Sequence, residues 1–249
     1  MKKTFKLIIL VLLLFVLLPA CSNNDVSVET DSKTHQVKST ETEKKAGDKQ
    51  TINGFEPSYN EGEDYSVLEK PYETGITDKV VVYEFFGYTC PHCFNFEPFL
   101  KKFIDSQPEY ATLQRVPQRY HESWFIYQQA YLTAEMMGFN NEEIHQKLFN
   151  AIHTHGQRFS TIDQLAEWYE KEAGIDKAKF ISTADSFIID SKQREADKMG
   201  FMMQVISTPS MVVNGKYVVS KKILDRDEVI NITKFLTKKA GIEMGLIPE

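Results

Sequence analysis

Cys90 and Cys93 stand three positions apart in the stretch FFGYTCPHCFNF, and the chain of 249 residues holds one other cysteine, Cys21. That spacing suits three chemistries: a structural crosslink, half of a metal site, or a dithiol that exchanges electrons. A crosslink closing so small a loop removes little chain entropy and stabilises little. A zinc site wants about two further ligands, and no second cysteine pair of this spacing exists. His145, His153 and His155 could supply nitrogen ligands, although a polar loop end at NAIHTHGQRF accounts for them, and copper stays open as a metal alternative. Electron exchange is the reading the residues favour, and it needs no cofactor beyond the two sulfurs.

The intervening Pro91 and His92 sharpen that reading. Proline is favoured at the first helical position, which makes Cys90 the N-cap of a helix and Cys93 its third residue, with both sulfurs on one face. The Cys90 sulfur then accepts from the free backbone N–H groups of His92 and Cys93 and lies at the positive end of the helix dipole. His92 adds a neighbour that further favours a negative sulfur. Only the reduced protein carries this thiolate, so stabilising it makes the disulfide a stronger oxidant. The pair is expected to give its disulfide away.

Elements that would position the pair follow from hydrophobic patterning. Val80–Phe86 in KVVVYEFF is nearly continuously apolar, as for a central strand covered on both faces. Phe96, Phe99, Leu100 and Phe103 then recur at helical spacing up to Ser106, with Gln107-Pro108 ending the run. A second strand is predicted at Thr112–Pro117. Amphipathic helices follow: one after Ser123, one opened by Asn140 with Glu143, and one from about Thr161 to Gly174. A further helix starts near Asp176 or Asp185 and runs towards Gln204. SMVVNGKYVV reads as a hairpin about Asn214-Gly215, and Asp225 with Glu228 opens a last helix. Met199, Met202 and Met203 have the spacing of core residues, and Trp124 and Trp168 that of helix packing. The order is β-α-β, a block of helices, then β-β-α. An α/β fold is expected.

Composition bounds the rest. A net charge of -6 gives no concentrated basic face, which sets nucleic-acid binding aside. Lys2, Lys3 and Lys6 lead into an apolar run from Leu7 to Leu18, the plan of a signal peptide over residues 1–20. The ending LLPAC resembles the lipobox of bacterial lipoproteins, which implies lipid attachment at Cys21. Residues 21–54 are polar, of mixed charge and poor in apolar groups, and read as a disordered tether. The mature protein is expected in the bacterial cell envelope, on the periplasmic or extracytoplasmic side, held to a membrane by its lipid.

EFFGYTCPHCFNFEPFL, the later YHESW and STPSMVVNGKYVV together resemble the DsbA family of thiol:disulfide interchange proteins. The resemblance runs from about residue 55 to about 235. It implies a thioredoxin fold over 55–249 with an all-helical insertion at about 122–190. It also implies Cys90 as an exposed nucleophile, Cys93 as a buried resolving thiol, and Thr208-Pro209 as a cis-proline loop facing them. Such a loop would bind extended substrates through main-chain hydrogen bonds. Glu84, a carboxylate inside an apolar strand, matches the family's buried glutamate, which handles protons for the resolving cysteine. Arg119 falls where the family often carries lysine, and could pair with Glu84 but would hardly release a proton. Thr208 replaces the valine common in this branch and resembles the threonine of periplasmic disulfide isomerases.

Taken together these features predict an exported oxidoreductase that donates the Cys90–Cys93 disulfide to reduced, unfolded proteins and is reoxidised by a membrane partner linked to quinone, like DsbB. Two alternatives stand beside it: a disulfide isomerase or reductase of the same fold, and a non-catalytic peptide-binding or chaperone lipoprotein.

Overall fold

A computed structural model describes residues 58–222 and 224–248. The predicted signal peptide, Cys21, the tether and Phe55 lie outside the described residues. In chain order the elements are β1 (Tyr65–Val67), β2 (Val80–Phe86), α1 (Pro91–Ser106) and β3 (Ala111–Pro117). A short 3₁₀ turn at Glu122–Trp124 leads into α2 (Phe125–Met136), α3 (Glu142–His153), α4 (Ile162–Ala173), α5 (Lys177–Ala184) and α6 (Phe187–Met202). The chain then returns to β4 (Ser210–Val213), β5 (Tyr217–Val219) and α7 (Arg226–Glu243).

The five strands form one mixed sheet in the order β1-β5-β4-β2-β3. Its β2–β3 pair is parallel and the other pairs are antiparallel. A parallel pair requires a crossover, and α1 supplies it. Every residue of β2 is buried, as its apolar run predicts. Alternation of side chains along the strand sends Val80 and Val82 to the face covered by α1 and α7, where they meet Leu100, Phe103, Ile232 and Leu236. Val81, Tyr83 and Phe85 point the other way, onto Ala196, Met199 and Met203. Glu84 shares its face with Val82, and is thereby directed under α1.

Several local signals fold as expected. Thr161 caps α4 and Gly174 ends it at φ 69°, while Asp225 caps α7. Asn214 and Gly215, at φ 52° and 63°, turn β4 into β5. Four expectations need correction. Asn141, not Asn140, caps α3, since its side chain accepts from Ile144 N–H. The predicted helix towards Gln204 is two helices, because Asp176 caps α5 and Ser186 caps α6. Strand β1 was not predicted. Its three residues gain their conformation from pairing with β5 and carry little periodicity of their own. Met199 and Met203 lie in the core, whereas Met202 is exposed. Trp168 is buried within the helix block. Among the described residues no helix is long and apolar enough to cross a membrane.

Candidate active site

The chain leaves the C-terminal end of β2 through Gly87, Tyr88 and Thr89 and enters α1 at Cys90, where the N–H of Cys90 donates to the Gly87 carbonyl at 3.0 Å. Cys90 is the N-cap, with φ -83° and ψ 112°, and Pro91 begins the helix. The backbone N–H of Cys93 donates to Cys90 Sγ at 3.3 Å, which is the capping bond expected from Ser or Asn made here by sulfur. Both cysteines are free thiols.

The resemblance implied an exposed Cys90, but the structure leaves it 5% exposed beside a fully buried Cys93. The Thr208–Pro209 loop is what covers it. Thr208 brings its carbonyl oxygen to 3.6 Å from Cys90 Sγ, and the Thr208–Pro209 peptide bond is cis. Access to the sulfur is therefore a narrow edge between α1 and that loop. A cleft of about 310 Å³ opens at this edge, lined by His92, Phe96, Thr208, Pro209, Met211 and the exposed Leu224.

The two thiols are driven apart in acidity. Cys90 is lowered from 9.0 to about 5, chiefly by hydrogen bonding with the Cys93 thiol. Thr208 and the backbone N–H groups of Cys93 and His92 add to this, against the opposing effect of burial. Cys93 is pushed well above 9.0, first by burial and then by Cys90 and by the charge of Glu84. His92 acts on Cys90 through its backbone. Its imidazole is exposed.

Beneath the pair lies a buried charge cluster. Glu84 is fully buried, and its Oε2 accepts from Arg115 Nε at 2.9 Å. The expected partner, Arg119, pairs instead with Asp197 at the sheet's edge, Nε to Oδ2 at 2.8 Å. Strand register explains the exchange: Glu84 and Arg115 are directly opposite on β2 and β3, whereas Arg119 follows the end of β3 at Pro117. Arg115 also donates to Glu97 on α1 at 3.4 Å and to both carboxylate oxygens of Glu142 at the start of α3. Glu84 is raised to about 8, by burial and by repulsion from Glu97, with Arg115 opposing. Glu97 is raised to about 7, again chiefly by burial. The second oxygen of Glu84, Oε1, is buried without a hydrogen-bond partner.

Three residues have other surroundings than the sequence reading gave them. His145 is buried in α3 rather than at a polar loop end, with Nδ1 2.9 Å from Tyr88 Oη and Nε2 3.3 Å from Glu97 Oε1. His153 stacks on Phe94 and holds the Tyr88 carbonyl at 2.8 Å through Nε2, while His155 is exposed. Trp124 does more than pack a helix, because a Cβ on Gly87 would stand 2.4 Å from its ring. Only glycine fits there without displacing the indole. The spacing His145-x₇-His153 places both imidazoles on the face of α3 turned to the active site, a helical period legible in the sequence.

Comparison with known proteins agrees with this geometry. A family model described as a DSBA-like thioredoxin domain matches residues 109–234. The thiol:disulfide interchange protein DsbA of Pseudomonas aeruginosa is 35% identical over 159 residues, which cover 64% of this chain and 74% of that protein. A crystal structure of Pseudomonas aeruginosa DsbA superposes with a TM-score of 0.69 at 31% identity, covering 75% of this chain and 97% of the other. The oxidoreductase DsbA from Xylella fastidiosa superposes with a TM-score of 0.68 at 28% identity, covering 75% and 98%.

Proposed function

The chain belongs to the DsbA-like thioredoxin family and is a thiol:disulfide oxidoreductase, and from that premise we propose that it donates the Cys90–Cys93 disulfide to reduced, unfolded proteins outside the cytoplasm. The observation that carries the proposal is Cys90 as the N-cap of α1, its sulfur accepting from Cys93 N–H at 3.3 Å, in keeping with a pKa lowered to about 5 from an ordinary 9.0. At pH 7 an ordinary thiol is protonated and Cys90 is not, a difference of about two units or about 3 kcal/mol in favour of the reduced protein. For a two-electron couple that makes the disulfide more oxidising by roughly 60 mV. Cys93 stays protonated in the reduced protein at this pH, so its raised pKa leaves the balance unchanged.

In the forward reaction a substrate thiolate attacks Cys90 Sγ, the Cys90–Cys93 bond breaks, and Cys93 leaves as a thiolate that takes up a proton. Glu84 is the proposed donor of that proton. A second substrate thiolate then attacks the substrate sulfur of the mixed disulfide, forming the substrate disulfide and releasing Cys90 as its stabilised thiolate. Two electrons have passed to the protein. A quinone-linked membrane partner like DsbB would withdraw them. Thr208 and Pro209 would hold an extended substrate by main-chain hydrogen bonds, and the cleft beside them would take its side chains. Lipid on Cys21 would keep this chemistry at the membrane surface.

Cys90→Ser should abolish oxidation of a reduced test protein, with Cys93→Ser accumulating mixed disulfides. Retained turnover in Cys90→Ser would overturn the proposal.

A further inference from the structure

The cluster under Cys93 contains two buried carboxylates, Glu84 from β2 and Glu97 from α1, and one buried cation, Arg115 from β3. Glu142 of α3 shares that cation from the surface, its side chain 56% exposed. Two buried carboxylates on one guanidinium already engaged by a third cannot both stay charged without a large desolvation cost. One of them keeps a proton, and the hydrogen bonds around them decide which.

His145 is the deciding group. It is buried among Phe86, Tyr131 and Phe149 and lies near the Arg115 charge, so it is neutral and has one ring proton for two polar neighbours. Tyr88 keeps its phenolic proton in this setting, and that proton needs an acceptor. Tyr169 Oη is near enough to act on the Tyr88 hydroxyl but stands outside hydrogen-bond geometry, which leaves His145 Nδ1 at 2.9 Å as the acceptor in place. An imidazole that accepts at Nδ1 carries its proton on Nε2, which faces Glu97 Oε1 at 3.3 Å. Glu97 thus receives an N–H from His145 on one oxygen and an N–H from Arg115 on the other. Glu84 receives Arg115 alone, and its Oε1 has nothing donating to it. Donors stabilise the ionised form.

We propose that Tyr88 and His145 are positioning residues that hold Glu97 as the charged member of the buried pair and so leave the exchangeable proton on Glu84, within electrostatic reach of Cys93. The proposal rests on reading Glu84 as the proton source for Cys93, and explains why two carboxylates so close in environment do not share that task. The higher affinity of Glu84 for its proton agrees with it.

The test is spectroscopic and uses the reduced protein at neutral pH. Nitrogen-15 NMR of the imidazoles should show His145 as the Nε2–H tautomer, changing in Tyr88→Phe. Infrared difference spectra should show a protonated-carboxyl band that disappears in Glu84→Gln and persists in Glu97→Gln. In Tyr88→Phe the proton should pass to Glu97, lowering the Glu84 midpoint by about one pH unit or more. An Nδ1–H tautomer, with Tyr88 turned to Tyr169, or a band lost in Glu97→Gln and kept in Glu84→Gln, would overturn the assignment. If the band behaves as expected while Glu84→Gln leaves thiol exchange at its normal rate, the proton is where we place it and the proton-source reading of Glu84 is what fails.

Discussion

Cys90 and Glu84 are both acids shifted by their surroundings, in opposite directions and by different kinds of structure. Cys90 is lowered by donors that its own helix brings, the neighbouring thiol and backbone N–H groups of the first turn, with Thr208 the one distant contributor. Glu84 is raised by burial and by a carboxylate from another element, with a cation from a third holding it in place. A helix N-terminus stabilises charge with groups that have no other use. A buried cluster of side chains has to bring its own compensation, and here one cation serves three carboxylates.

The two regions should therefore answer differently to mutation and to pH. The largest effect is expected below the thiols: Arg115→Leu leaves two buried carboxylates without their cation and should cost about 3–5 kcal/mol, equally in the oxidised and reduced proteins, by denaturant unfolding of each. At the thiols the effect should be smaller and selective. Because the Cys90 pKa is depressed on folding, its contribution is full above the ordinary 9.0 and is lost as pH falls towards about 5. The reduced protein should be more stable than the oxidised by about 3 kcal/mol near pH 7 from this source, and unfolding at a series of pH values should show the gap closing towards pH 5. A gap constant with pH would separate redox preference from the thiolate.

The carboxylates predict the reverse slope. Glu84 and Glu97 are raised above 4.5, so the folded protein keeps protons that the unfolded chain releases. Their contribution is full below about pH 4.5 and lost as pH rises through about 7 to 8, at about 1.4 kcal/mol per pH unit for one retained proton. Glu84→Gln should flatten that slope in the oxidised protein, where Cys90 has no thiolate to titrate. The smallest change is expected from Asn141→Ala, which removes the cap of the helix carrying His145 and should cost about 1 kcal/mol with little effect on the Cys90 midpoint.

The same contrast governs what was legible in the sequence. Cys90, Pro91 and Cys93 announce an N-cap because capping is a matter of adjacent residues, and Asn214-Gly215 announces a turn for the same reason. Arg115 was hidden because its partner is set by the register of two strands, which adjacent residues do not encode. One signal pointed to it: along ATLQRVP, Arg115 alternates in phase with Ala111 and Leu113, both on the α1 side of the sheet. His145 lies before NAIHTHGQRF, inside the helix predicted after Asn140, and three positions from Leu148 on the buried face of α3, so helical spacing and not the loop end describes it. Arg119 was paired with Glu84 by analogy alone, and the end of β3 at Pro117 carries it elsewhere.

The direction of electron flow depends most on the charge of one sulfur. Titration of the reduced protein by thiolate ultraviolet absorbance, with Cys93→Ala to assign the signal, measures it directly. A midpoint near 5 for Cys90 is predicted, rising in Cys93→Ala as the largest donor to the sulfur is lost. A midpoint near the ordinary 9.0 in the wild-type protein would contradict the claim that the Cys93 thiol and the first turn of α1 together drive this disulfide towards its substrates.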